Sequence, residues 1–147
     1  MLPILFLLAF AADESAALLP DGAGKEAVGK VCTACHDTAN IRKLRLTRDK
    51  WSEKIDDMTD RGAQGTDQEM MAVLDYLSKN FGPDSKIYVN TAPFAELKSV
   101  LKLTNEEADA VLAYREKNGH FQQWTDLLKV AGLDGKKIEA GKELLAF

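Results

Sequence analysis

The sequence has little cysteine, little histidine and little net charge. Its 147 residues include two cysteines and two histidines, and its formal net charge is −4. Two cysteines cannot build a disulfide framework. A mildly acidic chain also lacks the basic surplus of a protein that binds nucleic acid or anionic lipid through its overall charge. The length suits one ordinary domain or two very small ones.

A long apolar run is also missing. Residues 1–12 are apolar, but two acidic residues then end the run, which is too short to span a bilayer. Its length suits the hydrophobic region of a signal peptide, and residues 9–11 offer a small-x-small cleavage site. The alternative is a buried N-terminal helix. We predict a signal segment at residues 1–12, no integral membrane span, and a periplasmic or otherwise exported protein.

Three of the four cysteines and histidines lie together in Cys32-Thr33-Ala34-Cys35-His36. C-x-x-C-H is the attachment signature of c-type haem, in which two thiols form thioether bonds and the adjacent imidazole ligates iron. The alternatives are a redox pair, which would need a βαβ context, and half a zinc site, which would need two more ligands. We predict haem c as cofactor, covalently attached to Cys32 and Cys35, with His36 as proximal iron ligand.

Helical periodicity surrounds this motif. A short helix is predicted over residues 25–31, and Thr47 can cap a second helix that carries Trp51 on its apolar face. A third helix begins at the capping box of Thr66 and Glu69. With the pattern W…M…RGA…YL…FG, residues 22–82 resemble small single-haem c-type cytochromes of class I. The resemblance implies a small, all-helical cytochrome c domain.

The same pattern bears on the sixth ligand of the iron. A methionine thioether is the usual partner in electron carriers. Met58 shares a helix face with Trp51 and precedes the RGA segment, where the resemblance places its ligand methionine, so we predict Met58 as distal ligand. Met70 and Met71 are interpreted as core residues and His120 as a surface loop residue.

A loop is predicted over residues 37–47, and basic residues lie close together in it and directly after it, at positions 42, 43, 45 and 48. Such a cluster is either a solvated loop or a functional patch. The functional interpretation is a docking surface for an acidic redox partner, or a counter-charge to haem propionates. The sequence leaves both interpretations open.

The second half, residues 88–147, resembles a tandem helix-hairpin-helix domain. The DNA-receptor domain of competence proteins and an extrinsic photosystem subunit share this fold. The resemblance depends on residues at expected positions, namely Asn90-Thr91-Ala92, Leu97, Ala108, Tyr114-Arg115, Gly119-x-Phe121, Leu127, Val130 and Gly132-Leu133.

In DNA-binding versions of this fold, a Gly-hydrophobic-Gly hairpin exposes backbone N–H groups to a phosphate. Here residues 102–104 read Lys-Leu-Thr, and Glu106 and Glu107 follow where they would repel phosphate. Residues 132–137 read Gly-Leu-Asp-Gly-Lys-Lys, so one glycine and two lysines survive. Residues 83–147 hold nine Lys and Arg against ten Asp and Glu. DNA is therefore the less favoured partner.

Together these features predict an all-α protein, with a cytochrome c domain at 22–82 followed by a tandem helix-hairpin-helix domain at 88–147. The predicted function is electron transfer in the periplasm by a single-haem c-type cytochrome, with a dehydrogenase or oxidase as redox partner. No residue set indicates an enzyme. The alternatives are an exported DNA-binding protein with a haem domain, or a haem sensor or peroxidase with an open sixth iron site.

Overall fold

The structure is a computed structural model and describes residues 16–147, so the predicted signal segment lies outside the described residues. None of the helices in this range has the length and apolar character that crossing a bilayer requires. The chain forms two compact units. Within the described range, unit one comprises residues 16–38 and 47–80, and unit two comprises residues 39–46 and 81–147.

The described part of the chain is mostly helical, which confirms the all-α prediction in outline. In chain order the elements are α1 (Lys25–Cys32), α2 (Ala39–Arg42), α3 (Arg48–Asp60), α4 (Asp67–Asn80), β1 (Ile87–Tyr88), α5 (Phe94–Val100), α6 (Asn105–Asn118), α7 (Trp124–Leu127), α8 (Gly135–Gly141), a 3₁₀ turn (Lys142–Leu144) and β2 (Leu145–Ala146).

The helix ends of unit one follow the predicted capping residues. The Thr47 hydroxyl accepts the N–H of Lys50 and begins α3. Thr66 and Glu69 form the predicted capping box, with each backbone N–H donating to the other side chain. Gly62, with φ +107°, follows the end of α3. These local signals therefore account for the beginnings of the two longest helices of unit one and for the end of α3.

Helix α1 and helix α4 cross closely at Gly24. A Cβ atom at Gly24 would lie 2.5 Å from the carbonyl oxygen of Ala72 and 2.8 Å from the Cβ of Tyr76, so only glycine fits. The core of the unit lies around this crossing and consists of Leu19, Val28, Val31, Trp51, Val73, Tyr76 and Leu77. The crossing fixes the direction of α1, at whose end the C-x-x-C-H motif begins.

Unit two contains two helical hairpins, α5–α6 and α7–α8. Strands β1 and β2 pair in parallel and bring the beginning and the end of the unit together, with Ile87 opposite Leu145. The Asn90 side chain exchanges two hydrogen bonds of 2.8 Å with the backbone of Phe121 and holds the connection between the hairpins. The shared core includes Val89, Ala92, Leu97, Leu101, Leu103, Ala108, Val111, Leu127, Val130 and Ile138.

The segment at residues 37–47, which was predicted to be a loop, is partly helical. It contains α2, and residues 39–46 belong to unit two. Arg42 donates to one oxygen of Glu96 and Arg45 to the other, both at 2.8 Å. The side chains of Arg42 and Glu96 are each 2% exposed, and that of Arg45 is 11% exposed. Neither a solvated loop nor a docking patch describes these two arginines, because their charges neutralise a buried carboxylate.

Candidate nucleic-acid interface

The turn of the first hairpin joins α5 to α6. Lys102 has φ +57°, in the left-handed region where non-glycine residues are uncommon, and its side chain is exposed. Leu103 is buried beneath it. Thr104 is the N-cap of α6, and its hydroxyl accepts the N–H of Glu107 at 3.2 Å. In order, the turn therefore consists of a residue with positive φ, a buried leucine and the N-cap residue of α6.

The turn of the second hairpin joins α7 to α8 and has the same order. Gly132 has φ +85°, Leu133 packs against the core, and Asp134 is the N-cap of α8. The Asp134 carboxylate accepts the N–H of Lys136 at 2.9 Å. The first turn thus has the same order as the second, a residue with positive φ, a leucine and an N-cap, although both of its glycines are missing. The first turn therefore forms without those glycines.

Glu107 connects the two turns. Its Oε2 accepts the backbone N–H of Thr104 at 2.8 Å and the Nζ of Lys137 at 2.7 Å, and its Oε1 accepts the backbone N–H of Asp134 at 3.1 Å. The side chain is 8% exposed. The hydrogen bonds from Lys137 and from the two N–H groups lower the pKa of Glu107 to about 2. Glu107 is therefore ionised, and its charge is offset by Lys137 within the unit. The expected repulsion of phosphate by Glu106, which is exposed, stays a prediction.

Two lysines remain exposed at the turns. Lys102 lies in the first turn and Lys136 lies two residues after the N-cap of the second. Lys137, the other lysine that survives in the second motif, is half-buried and paired with Glu107. Each turn therefore presents one exposed lysine beside the beginning of a helix.

The charge of the domain also differs from the sequence estimate. Residues 83–147 carry nine basic and ten acidic residues, but residues 39–46 add three basic residues and no acidic one. Because that segment belongs to unit two, the unit holds twelve basic and ten acidic residues. The acidic balance that argued against DNA came from placing the domain boundary at residue 83.

The C-x-x-C-H motif lies in unit one at the end of α1. Cys32 is half-buried, Cys35 is exposed and His36 is half-buried. Burial raises the pKa of Cys32 to about 11, whereas a thioredoxin-like pair would need a lowered one. The Nδ1 atom of His36 lies 2.8 Å from the carbonyl oxygen of Asp37. A neutral imidazole that donates its Nδ1–H to that carbonyl has its lone pair at Nε2, the atom that can bind a metal.

These three residues fit covalent attachment of haem, which would supply one-electron chemistry at its iron when bound. Among residues 16–147, no three His, Cys, Asp or Glu side chains come together to hold a metal ion, so a zinc cage is not formed there. Haem c on Cys32, Cys35 and His36 stays a prediction. Haem staining after denaturing electrophoresis, with the Cys32→Ala/Cys35→Ala variant as control, tests it.

The three methionines among residues 16–147 are distributed over two helices. Met58 is half-buried on α3, a helix that packs on α4, and its role as distal ligand stays a prediction. Met70 is half-buried on α4, but Met71 is 55% exposed, so the interpretation of Met71 as a core residue is wrong. His120 is exposed between the two hairpins, as predicted.

The two turns of unit two have the order expected of helix-hairpin-helix motifs. The family model of the helix-hairpin-helix motif matches residues 83–146. ComE operon protein 1 of Bacillus subtilis (strain 168) is 38% identical over 58 residues, which cover 40% of this chain and 28% of that protein. An uncharacterized protein of Haemophilus influenzae (strain ATCC 51907 / DSM 11121 / KW20 / Rd) is 33% identical over 63 residues, 42% of this chain and 56% of that protein.

No solved structure matches the chain. The chain spans 28% and 56% of the lengths of the two relatives, so the similarity concerns parts of those proteins. The prediction of a helix-hairpin-helix domain is confirmed by the family match.

The same comparisons correct the predicted function. The interpretation as an electron-transferring c-type cytochrome is wrong, because the family match and the similarity to ComE operon protein 1 support the helix-hairpin-helix half and give no support to a cytochrome domain. A dehydrogenase or oxidase as redox partner is likewise unsupported. The ranking of DNA below a redox protein was also wrong.

Sequence reasoning missed two functional features of unit two. One is the link that Glu107 makes between the turns, although Thr104-x-x-Glu107 is itself a capping-box pattern and could have been recognised. The other is the incorporation of residues 39–46, which depends on the pairing of Arg42 and Arg45 with Glu96, about 50 residues away. No local sequence pattern predicts a pairing between residues so far apart.

Proposed function

We propose that this is an exported protein that binds duplex DNA through the two hairpin turns of unit two. The observation that carries the proposal is the shared order of the turns, in which a residue with positive φ, a leucine and an N-cap precede a helix in both hairpins. The family match and the similarity to ComE operon protein 1 support it, since the domain resembles the DNA receptors of competence proteins.

Binding follows from the chemistry of the turns. An exposed lysine at a turn attracts a phosphate oxygen and carries no sequence information. Lys102 and Lys136 supply the cation at the first and the second turn. A unit with a small positive charge and two such contacts binds without base preference, and its affinity depends on salt. The apolar segment at residues 1–12 directs export under this proposal.

Charge reversal at the two turns tests the proposal. In the full chain, Lys102→Glu and Lys136→Glu should each weaken binding to a labelled duplex about tenfold, and each should lower the salt dependence by about one phosphate contact. Lys117→Glu is the matched control, because Lys117 is exposed at the other end of α6, roughly 18 Å along the helix from its beginning. Equal weakening by all three variants would contradict a contact made at the turns.

A further inference from the structure

We infer that Arg115, together with Arg42 and Arg45, forms a binding site on unit two for a dianionic oxyanion such as phosphate. Arg115 contacts the ligand, and the other two arginines add positive charge. Arg115 lies in the last turn of α6, about 15 Å along the helix from its beginning at the first hairpin turn. The site is therefore separate from the two turns, and the inference does not rest on the proposed function.

The guanidinium group of Arg115 is only partly used by the protein. Its Nη1 atom donates to the carbonyl oxygens of Val89 and Ala92, at 2.8 and 3.1 Å. Within residues 16–147, Nε and Nη2 of Arg115 have no hydrogen-bond partner. No buried side-chain nitrogen or oxygen in that range lacks a partner, so these two nitrogens reach solvent. Together they form the edge of the guanidinium that binds two oxygens of one carboxylate or phosphate.

Arg115 also lacks a carboxylate partner. The other four arginines of the sequence each form an ion pair with a carboxylate: Arg42 and Arg45 with Glu96, Arg48 with Asp75, and Arg61 with Asp57. No carboxylate among residues 16–147 pairs with Arg115. This half-buried arginine is therefore the one whose charge the described part of the chain leaves without a counter-charge.

The neighbouring arginines make this charge less favourable. Glu96 cannot serve Arg115, because one of its oxygens is bonded to Arg42 and the other to Arg45, both at 2.8 Å. Burial and then the charge of Arg42 lower the pKa of Arg115, although a guanidinium stays protonated. Three guanidinium groups thus share one carboxylate, and two positive charges remain unpaired.

A phosphate dianion satisfies both features of the site. At neutral pH a phosphate monoester carries about 1.5 to 2 negative charges, which matches the two unpaired positive charges. Two of its oxygens can accept the parallel N–H bonds from Nε and Nη2 of Arg115. Acetate can make the same two bonds with a single charge, so we expect acetate to bind more weakly than phosphate.

An NMR titration of the full wild-type chain tests the inference. The Nε–H resonance of Arg115 should shift saturably with inorganic phosphate, with a dissociation constant on the order of 1 mM. Sodium chloride at the same ionic strength should give no saturable shift, and the Nε–H resonance of Arg48 is the internal control. Equal shifts with phosphate and chloride would overturn the site as mere screening by ions. Equal affinity for acetate and phosphate would overturn its preference for a dianion.

Two variants of the full chain separate the fork from the charge. Arg115→Lys keeps the charge but cannot form two parallel bonds, so it should bind phosphate about tenfold more weakly by calorimetry. The control is Lys117→Gln, which removes a positive charge from an exposed position of α6 and should leave the affinity unchanged. Unchanged affinity in folded Arg115→Lys, or equal weakening by both variants, would overturn the inference. The wild-type titration decides the question if Arg115→Lys does not fold.

Discussion

The two hairpin turns of unit two have the same order, a residue with positive φ, a leucine and an N-cap, but they differ in the first and the last of these residues. Lys102 and Gly132 both have positive φ, at +57° and +85°, and Thr104 and Asp134 both cap the helix that follows. Glycine adopts this conformation freely, whereas lysine adopts it at a cost of roughly 1 kcal/mol or more. The second turn is therefore supported by its sequence, and the first is held by the structure around it.

This difference shows how a motif can persist after its signature residues are gone. Leu103 is buried in the core, and the N–H of Thr104 is held by Glu107. Because these contacts determine the path of the chain, the left-handed residue no longer has to be glycine. A strained, exposed lysine at a turn is also a reason to expect function there.

The largest predicted effect is the removal of the carboxylate that joins residues 39–46 to the first hairpin. Glu96→Ala leaves Arg42 and Arg45 without their partner in a buried site, which should lower the free energy of unfolding by about 3–5 kcal/mol. Urea denaturation of the full chain measures it. Glu53→Ala, which breaks an exposed ion pair with Lys50, should lower the free energy of unfolding by about 0.5 kcal/mol or less. If both variants lowered it equally, the buried ion pairs of Glu96 would not contribute specially to stability.

The second prediction concerns the link between the turns at low pH. Because the folded-state pKa of Glu107 is about 2 and its ordinary value is 4.5, its contribution to stability is complete above about pH 4.5 and is lost as the pH falls toward 2. The stability difference between the wild type and Glu107→Gln should therefore shrink over this interval. A difference that is constant from neutral pH to pH 2 would show that the carboxylate is not selectively stabilised in the folded state.

The third prediction concerns Gly132, the residue with positive φ in the second turn. A Cβ atom at Gly132 would meet no other atom within 4 Å, so Gly132→Ala tests the backbone alone. We expect a loss of about 1 kcal/mol in the free energy of unfolding, because alanine disfavours positive φ. Gly141→Ala, in α8 of the same unit and without positive φ, is the control and should be neutral or slightly stabilising.

The smallest effect has the opposite sign. Lys102→Gly should raise the free energy of unfolding by about 0.5 kcal/mol, since relief of the left-handed strain exceeds the entropy of glycine in the unfolded chain. The same change at Lys117, inside α6, should lower stability by about 1 kcal/mol. The gain at Lys102 should come with weaker DNA binding. A destabilised Lys102→Gly variant would show that the first turn is unstrained.

The sequence predicted the parts of the fold that depend on neighbours along the chain. The capping residues Thr47 and Thr66 and the helix stop at Gly62 follow from bonds within four residues or from one backbone angle. The errors share a different cause. Glu107 finds its partners Asp134 and Lys137 across 27 and 30 residues, and a carboxylate that repels phosphate in the sequence becomes a neutralised link in the fold.

The domain boundary failed for the same reason. Arg42 and Arg45 lie beside the C-x-x-C-H motif in sequence, so they were interpreted together with it, whereas their partner Glu96 lies on α5. The charge count of the helix-hairpin-helix domain then had the wrong sign. The sequence identifies the charged residues, but only their long-range pairing shows which of these charges remain available to a ligand.

The most direct test of the central claim is the affinity of the full chain for a labelled duplex at two salt concentrations. With one phosphate contact at each of the two turns, we expect the association constant to fall about tenfold between about 50 mM and about 200 mM salt, with no preference between duplexes of different sequence. Absence of binding at the lower concentration, or an affinity that does not change with salt, would contradict the account.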